Sequence, residues 1–427
     1  MSTGKPNEST RQSAAAVRRS MKFATVSLGV AMAWLALEVS LRIAPHVISP
    51  RLLILFEPGL RAEIAAGSFP LEKDYRPIGR DDGGPPLLIA KPSSPIVSVD
   101  NATGNVPRTT DEIGFCNRPG KYAGRDRIDV ISIGDSFTWC HALQPDQTWS
   151  ALLEQRSGVS AFDLGLGGLG PYEYVQLLRE FGLAKHPRLV IMNVYGGNDL
   201  RDAVEYDRYR SAVERGEEPP SDGPQPIAPA LAASIVGRHS YALNFLLAVA
   251  SRATYRGEKD AEKTGVDFHY SIDGVDGPTP FNLENRDRDE VAAARRVQRG
   301  ATTLALWDDA LSRFAALGKE HGFLPVVSYT PSAHTTYADH VRFADPSIAG
   351  VLRNLDDAQR AYLAEHAAVY GYSFYDLTPD LRRAAASPRR SELLYDPVNM
   401  HFTARGHDVV ADAFVRLLAD RRISAQQ

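Results

Sequence analysis

Two cysteines in 427 residues exclude a disulfide-dense scaffold and a cysteine-built zinc ribbon. Positive charge is not in excess either. Lys and Arg number 48 against 52 Asp and Glu, for a formal net charge of −4, so a chain that neutralises nucleic-acid phosphates is excluded as the main reading. No internal repeat, no His-Glu-x-x-His spacing and no Gly-x-Ser-x-Gly elbow is found, which sets aside a zincin-type metal site and the ordinary α/β-hydrolase arrangement. The sequence therefore points to no metal and no cofactor. What it does have is a globular composition: 44% hydrophobic residues, 23% charged residues and a mean hydropathy of −0.25. At ~150 residues per domain, the length suits two to three units.

Long hydrophobic runs are also scarce, and the N-terminal one sets the compartment. Phe23 to Leu41 holds a single ionisable residue, Glu38, and as a helix spans about 28 Å, enough to cross a bilayer core. Lys5, Arg11, Arg18, Arg19 and Lys22 precede it, whereas only Arg42, Arg51 and Arg61 follow closely. This asymmetry places residues 1–22 in the cytoplasm, 23–43 in the membrane as an anchor and the rest outside, a single-pass inner-membrane protein with a periplasmic body. Glu38 and Arg42, four apart, share a helix face and pair near the outer interface. The competing readings are a cleaved signal peptide, with Ala31-Met32-Ala33 as the processing site, and a buried core helix.

Residues 44–122 are rich in Pro, Gly and short apolar runs, as in Asp81-Asp82-Gly83-Gly84-Pro85-Pro86, and read as a stalk or accessory layer. From residue 123 to 427 the pattern becomes regular. Strands are expected at Ile128–Ile133, Ser160–Leu164 and Arg188–Tyr195, alternating with helices at Asp146–Arg156 and Tyr172–Leu183. A further strand at Leu324–Tyr329 follows a long helix from Asp289 to His321. Helices at Leu355–Tyr370 and His407–Asp420 flank a strand at Ser373–Asp376. Such alternation predicts an α/β fold with a parallel sheet between helical layers. Residues 201–289 break it and read as an insertion carrying one helix over Pro229–Ala250. Arg238 and His239 in mid-span argue against a second membrane crossing.

The first core strand runs directly into Gly134-Asp135-Ser136-Phe137-Thr138, placing Ser136 at a strand's carboxyl end, where ligand sites of open α/β sheets gather. Alone, the serine reads better as a helix cap. The sequence resembles the SGNH/GDSL hydrolase family at this point, and further blocks follow in that family's order. Asp163-Leu164-Gly165-Leu166-Gly167-Gly168 resembles the second block, Gly196-Gly197-Asn198-Asp199 the third, and Asp396-Pro397-Val398-Asn399-Met400-His401 the fifth. The resemblance implies a three-layer α/β/α domain in which Ser136 is the nucleophile and His401 the general base. Ser136, Gly168 and Asn198 then form the oxyanion hole.

Acyl transfer needs these parts: a nucleophile, a base and neutral donors aimed at developing negative charge. One departs from the family pattern. The acid normally lies two or three residues before the histidine, where this chain has Asn399 and Val398, and Asp396 is five back. Either Asp396, through a turn at Pro397, or Asn399, through an extended segment that points it the way of His401, orients the imidazole.

The single helix ending in Glu38 and Arg42, with Thr110-Asp111-Glu112-Ile113-Gly114-Phe115 before the serine block, resembles a membrane-anchored branch of the family. Tyr329-Thr330-Pro331-Ser332 is similar to an element of its alginate O-acetyltransferase-like members. Cys116 and Cys140 stand where the family more often has other residues, which suggests either a disulfide or two unrelated buried thiols. The expected function is a serine-dependent ester hydrolase or O-acyltransferase outside the cytoplasm, acting on glycan or lipid esters of the cell envelope. The alternative is a catalytically inactive glycan-binding or assembly protein, motivated by the missing acid.

Overall fold

The computed structural model describes residues 8–48, 50–53, 55–57, 59–61, 63–64, 75–78, 87–100, 104–217, 227–254, 267–283 and 288–421. The chain divides into two compact units, Met1–Leu71 with Ser221–Asp260, and Glu72–Pro220 with Ala261–Gln427.

The first unit is built on one helix, Glu8–Ile43. Its segment Met21–Ile43 has a mean hydropathy of 1.7 and is long and apolar enough to cross a membrane. Phe23 is 77% exposed, and only 6% of the most apolar window is buried, so this is not the core helix that was one reading of the run. Near its end Arg42 Nε lies 2.7 Å from Glu38 Oε1. The Glu38 carboxylate also accepts the backbone N–H groups of Tyr241 and Ala242 and the Ser240 hydroxyl, at 3.2, 2.8 and 2.9 Å. It thereby satisfies the free donors at the start of helix Tyr241–Thr254. Leu41, Ile48, Leu53, Phe56 and Ala248 form this unit's own core. The helix expected over Pro229–Ala250 is interrupted: short turns at Pro229–Ala232 and Gly237–His239 precede Tyr241–Thr254. The Asn244 side chain fastens the break by donating to the carbonyls of Gly237 and Ser240.

The second unit contains the parallel sheet. Its strands are β1 (Val130–Gly134), β2 (Ala161–Asp163), β3 (Leu189–Tyr195), β4 (Leu324–Thr330) and β5 (Ser373–Asp376), in spatial order β5-β4-β3-β1-β2. Every residue of β1, β2 and β3 is buried, as expected of strands covered on both faces, and their sequences are largely apolar, with Ser132, Asp163 and Asn193 as the buried polar exceptions. Helix Trp149–Ser157 packs against Ala404–Asp420, and Pro171–Leu177 against Asp199–Glu214 and Asp308–His321. The strand order reverses between β1 and β3, where Gly134 pairs with Asn193, so the loops after these two strands open a crevice at their carboxyl ends.

Several expectations need correction. The helix read as continuous over Asp289–His321 is Arg288–Gln298, a short turn at Leu304–Trp307 and Asp308–His321, because the chain turns at Gly300 with φ of 68°. Tyr172–Leu183 is an α-helix only over Pro171–Leu177 and widens to a π turn at Leu178–Gly182. The 44–122 stretch is not uniformly a stalk. Leu87, Ile89 and Phe115 belong to the large core of the second unit, and short antiparallel pairs form, Tyr75–Ile78 with Leu87–Ala90 and Pro95–Asp100 with Gly104–Thr109, while Asp81 to Pro86 lie outside the described residues. The 201–289 insertion also divides. Asp199–Glu214 packs within the second unit, Ser221–Asp260 belongs to the first, and Tyr270–Gly274 and Gly277–Phe281 form a small antiparallel sheet with Val341–Phe343.

Candidate active site

Ser136 sits in a turn that its neighbours hold shut. Asp135 accepts the Phe137 N–H on its carboxylate at 2.8 Å, and those of Thr138 and Trp139 on its carbonyl at 3.1 and 3.0 Å. Thr138 folds back over the strand end, and a Cβ at position 134 would meet its Oγ1 at 2.1 Å, so glycine is required there. Asp135, Phe137 and Thr138 are buried, whereas Ser136 is half-buried. The serine is not a helix cap: the next helix takes Thr148 as its N-cap, 3.3 Å from the Ala151 N–H.

His401 arrives from the far end of the sequence. Tyr395 and Phe402 form an isolated bridge, and the Asp396 N–H donates to the His401 carbonyl at 2.8 Å, closing a turn with Met400 at φ of 69°. The imidazole reaches Ser136, with Nε2 2.9 Å from Oγ. The segment is a turn, the first of the two arrangements read from the sequence, and Asn399 directs its side-chain oxygen to the backbone N–H of His401 at 3.1 Å. Asp396 Oδ1 accepts the N–H groups of Val398 and Asn399 at 2.8 and 2.9 Å, so its carboxylate organises the turn that presents the base.

The ring of His401 lies near parallel to two others. Phe137 lies 5.3 Å away at 25°, itself stacked on Tyr195, and His141 lies 3.8 Å away at 18°. Sequence reasoning missed His141; its only signal was its position five residues after the serine. His407 lies in the first turn of helix Ala404–Asp420, after the Thr403 cap. Its Nδ1 accepts the Trp149 N–H at 3.1 Å, and burial together with the nearby His401 pushes its imidazole down to about 3.

Gly168 lies in the loop after β2 at φ of 79°, where a Cβ would meet nothing within 4 Å, so backbone conformation and not space selects glycine. Asn198 closes β3 and starts helix Asp199–Glu214 without capping it. Its amide nitrogen donates to Asp202 Oδ2 at 2.7 Å, which fixes the amide plane and leaves its second N–H for another acceptor. Asp202 was also missed. Asp199 beside it accepts the Tyr174 hydroxyl and the Tyr195 N–H, at 2.9 and 3.0 Å, and burial near Asp135 and Asp202 holds its carboxyl well above the usual range.

A clip ties the serine turn to the glycine loop. Cys116 and Cys140 form a disulfide with Cα atoms 6.0 Å apart. Asp111 Oδ1 gathers the N–H groups of Ile113, Gly114 and Phe115, and its Oδ2 accepts from Asn117 at 2.9 Å. Asn117 in turn both donates to the Asp163 carbonyl and accepts the Asp163 N–H, at 2.8 and 2.9 Å. Thr110-Asp111-Glu112-Ile113-Gly114-Phe115 thus braces the loops that carry Ser136 and Gly168. Burial pushes the Asp111 carboxyl up to about 6. Among the described residues no three His, Cys, Asp or Glu side chains gather as metal ligands.

No protein-family model and no curated protein matches the chain. Solved structures similar to it include a G-D-S-L family lipolytic protein from Desulfitobacterium hafniense, at 12% identity over 68% of this chain and 100% of that one with a TM-score of 0.31. They also include a catalytic mutant of an acetylxylan esterase from Geobacillus stearothermophilus, at 13% identity over 68% of this chain and 94% of that one with a TM-score of 0.35. At these values the reading of the site rests on its own geometry. The chain resembles the SGNH/GDSL hydrolases in the order of its motif blocks, and those blocks end three adjacent strands of one parallel sheet and the turn before the last helix.

Proposed function

We propose that the chain is a serine-dependent acyl-ester hydrolase or O-acyltransferase of SGNH/GDSL type, held by a single membrane helix with its catalytic unit outside the cytoplasm. The observation that carries this reading is the 2.9 Å contact between Ser136 Oγ and His401 Nε2, made by residues 265 positions apart.

Ser136 Oγ attacks the ester carbonyl as His401 Nε2 takes its proton. The tetrahedral oxyanion receives N–H groups from the Ser136 and Gly168 backbones and the Asn198 side chain, whose plane Asp202 sets. Collapse expels the alcohol, to which His401 returns the proton, and leaves an acyl group on Ser136. Water, deprotonated by His401, then releases the acid; a carbohydrate hydroxyl in its place becomes the acyl acceptor. Asp396 is the acidic partner that orients the base through the 396–401 turn, and His141 and Phe137 keep the imidazole plane.

The apolar helix Met21–Ile43, the basic residues before it and a disulfide that persists in an oxidising compartment support an extracytoplasmic site. The anchor suits glycan or lipid esters of the cell envelope. Incubation with p-nitrophenyl acetate, with and without candidate glycans, tests the reading. Release of p-nitrophenol that requires Ser136 is expected, and acyl found on the glycan assigns the transferase. No release with any acyl ester contradicts the proposal.

A further inference from the structure

Six large apolar side chains, Ile227, Leu231, Ile235, Val236, Leu246 and Val249, stand 40–85% exposed within residues 227–254 of the first unit. Among all the described residues of the second unit there are four: Val213, Val275, Leu283 and Val369. The concentration follows from helix Tyr241–Thr254, which is apolar on both sides. Tyr241, Phe245 and Ala248 turn into the unit's core, while Leu246 and Val249 turn outward. Its polar Asn244 and Ser251 are buried, bonded to Gly237, Ser240 and Leu247, so they give the outer face no polarity. A helix with apolar side chains exposed beyond its core face is covered there in its working state, and exposed apolar side chains concentrated in one segment mark a contact surface.

The position of the patch identifies what covers it. Glu38 bonds the first turn of this helix and lies 17 residues beyond Met21, about 26 Å along the anchor. A bilayer core is about 30 Å thick, so a helix that enters it at Met21 brings Glu38, and with it the start of helix Tyr241–Thr254, to the opposite boundary. Arg238 and Arg252, both exposed, flank the apolar face and suit lipid phosphates. We propose that Leu231, Ile235, Leu246 and Val249 lie in the membrane boundary against lipid acyl chains, making the first unit a monotopic collar around the anchor. The proposal rests on the reading that Met21–Ile43 spans the bilayer.

The test uses the full-length protein reconstituted in phosphatidylcholine and phosphatidylglycerol vesicles whose acyl chains carry bromine, which quenches tryptophan on contact. Leu246→Trp and Ile235→Trp report on the face, Val275→Trp serves as the exposed control, and Trp34→Phe isolates the emission of the anchor. Emission added at 246 and 235 should fall by roughly half, as for a side chain inserted about 5–10 Å, while that at 275 stays unchanged. Unquenched emission at 246 and 235 with quenched Trp34 overturns the collar but keeps the anchor. Unquenched Trp34 overturns both. Shielding of position 246 from bromolipid and from aqueous acrylamide alike assigns the face to a protein partner and also overturns the proposal. Val249→Trp replaces Leu246→Trp should the latter lose its helical circular dichroism.

Discussion

At the scale of single residues, His401, the proposed base, is held by contacts that differ in kind. Asp396 shapes the turn before His401, and Asn399 binds the His401 backbone. Asp396→Ala should reduce acyl transfer by about 10²–10⁴, up to the loss seen when a triad acid is replaced, whereas Asn399→Asp, which keeps an acceptor for the same N–H, should leave it equal or higher. Steady-state rates with p-nitrophenyl acetate separate the two; wild-type rates in folded Asp396→Ala would pass the orienting role to Asn399. His141 acts through the plane of the ring it stacks on. His141→Ala should lower kcat by roughly tenfold with KM little changed, in line with the worth of one aromatic pair, and His141→Phe should restore most of it. Equal losses in both variants would mean that the imidazole itself, and not the stack, matters.

Ser136, Gly168, Asn198 and His401 were legible as candidates because each occupies a short motif at a strand or loop end, and a 2.9 Å hydrogen bond joins the two most distant of them in sequence, Ser136 and His401. His141 and Asp202 were not, since their contacts exist only after the serine turn and the helix following β3 have folded.

At the scale of elements, the clip between residues 110–117 and the serine turn should be measurable. Its disulfide closes a separation of 24 residues, so Cys116→Ser with Cys140→Ser should cost about 3 kcal/mol on the chain-entropy account. Denaturant unfolding of oxidised and double-variant protein gives the difference, and two alkylated thiols in unreduced protein would deny the bond altogether.

The last helix carries a second test. His407 is neutral in the folded chain because burial, together with the nearby His401, pushes its imidazole down to about 3, and as the neutral form it accepts the Trp149 N–H. The unfolded chain takes up this proton as pH falls below about 6.5, so the stability contributed by His407 is full above that value and declines progressively towards pH 3. Between pH 7 and pH 5 the loss should be about 2 kcal/mol, and His407→Asn, which retains an acceptor but does not titrate, should abolish that part of the slope. An unchanged slope would place the acid sensitivity elsewhere.

The central strands were legible as largely apolar runs because burial on both faces removes the in-out alternation, and their polar residues Ser132 and Asn193 are themselves buried. The small antiparallel pairs were not, since Val341–Phe343 pairs with Tyr270–Gly274 some 70 residues away and no local pattern announces such a partner.

At the scale of the whole molecule, the chain joins an apolar N-terminal helix, long enough to cross a membrane, to a parallel α/β unit. The insertion after β3 was legible as a break in periodicity. Its return to the N-terminal helix was not, because Glu38 caps a helix more than 200 residues later and nothing near either residue predicts the meeting. The central claim is that Ser136 is an activated nucleophile. It is tested most directly by labelling the full-length protein with a fluorophosphonate probe and locating the adduct by peptide mass. The account predicts one adduct on Ser136, lost in Ser136→Ala and strongly slowed in His401→Ala while the fold is retained. A folded wild-type chain that takes up no probe, or takes it up equally with Ser136 replaced, would contradict it.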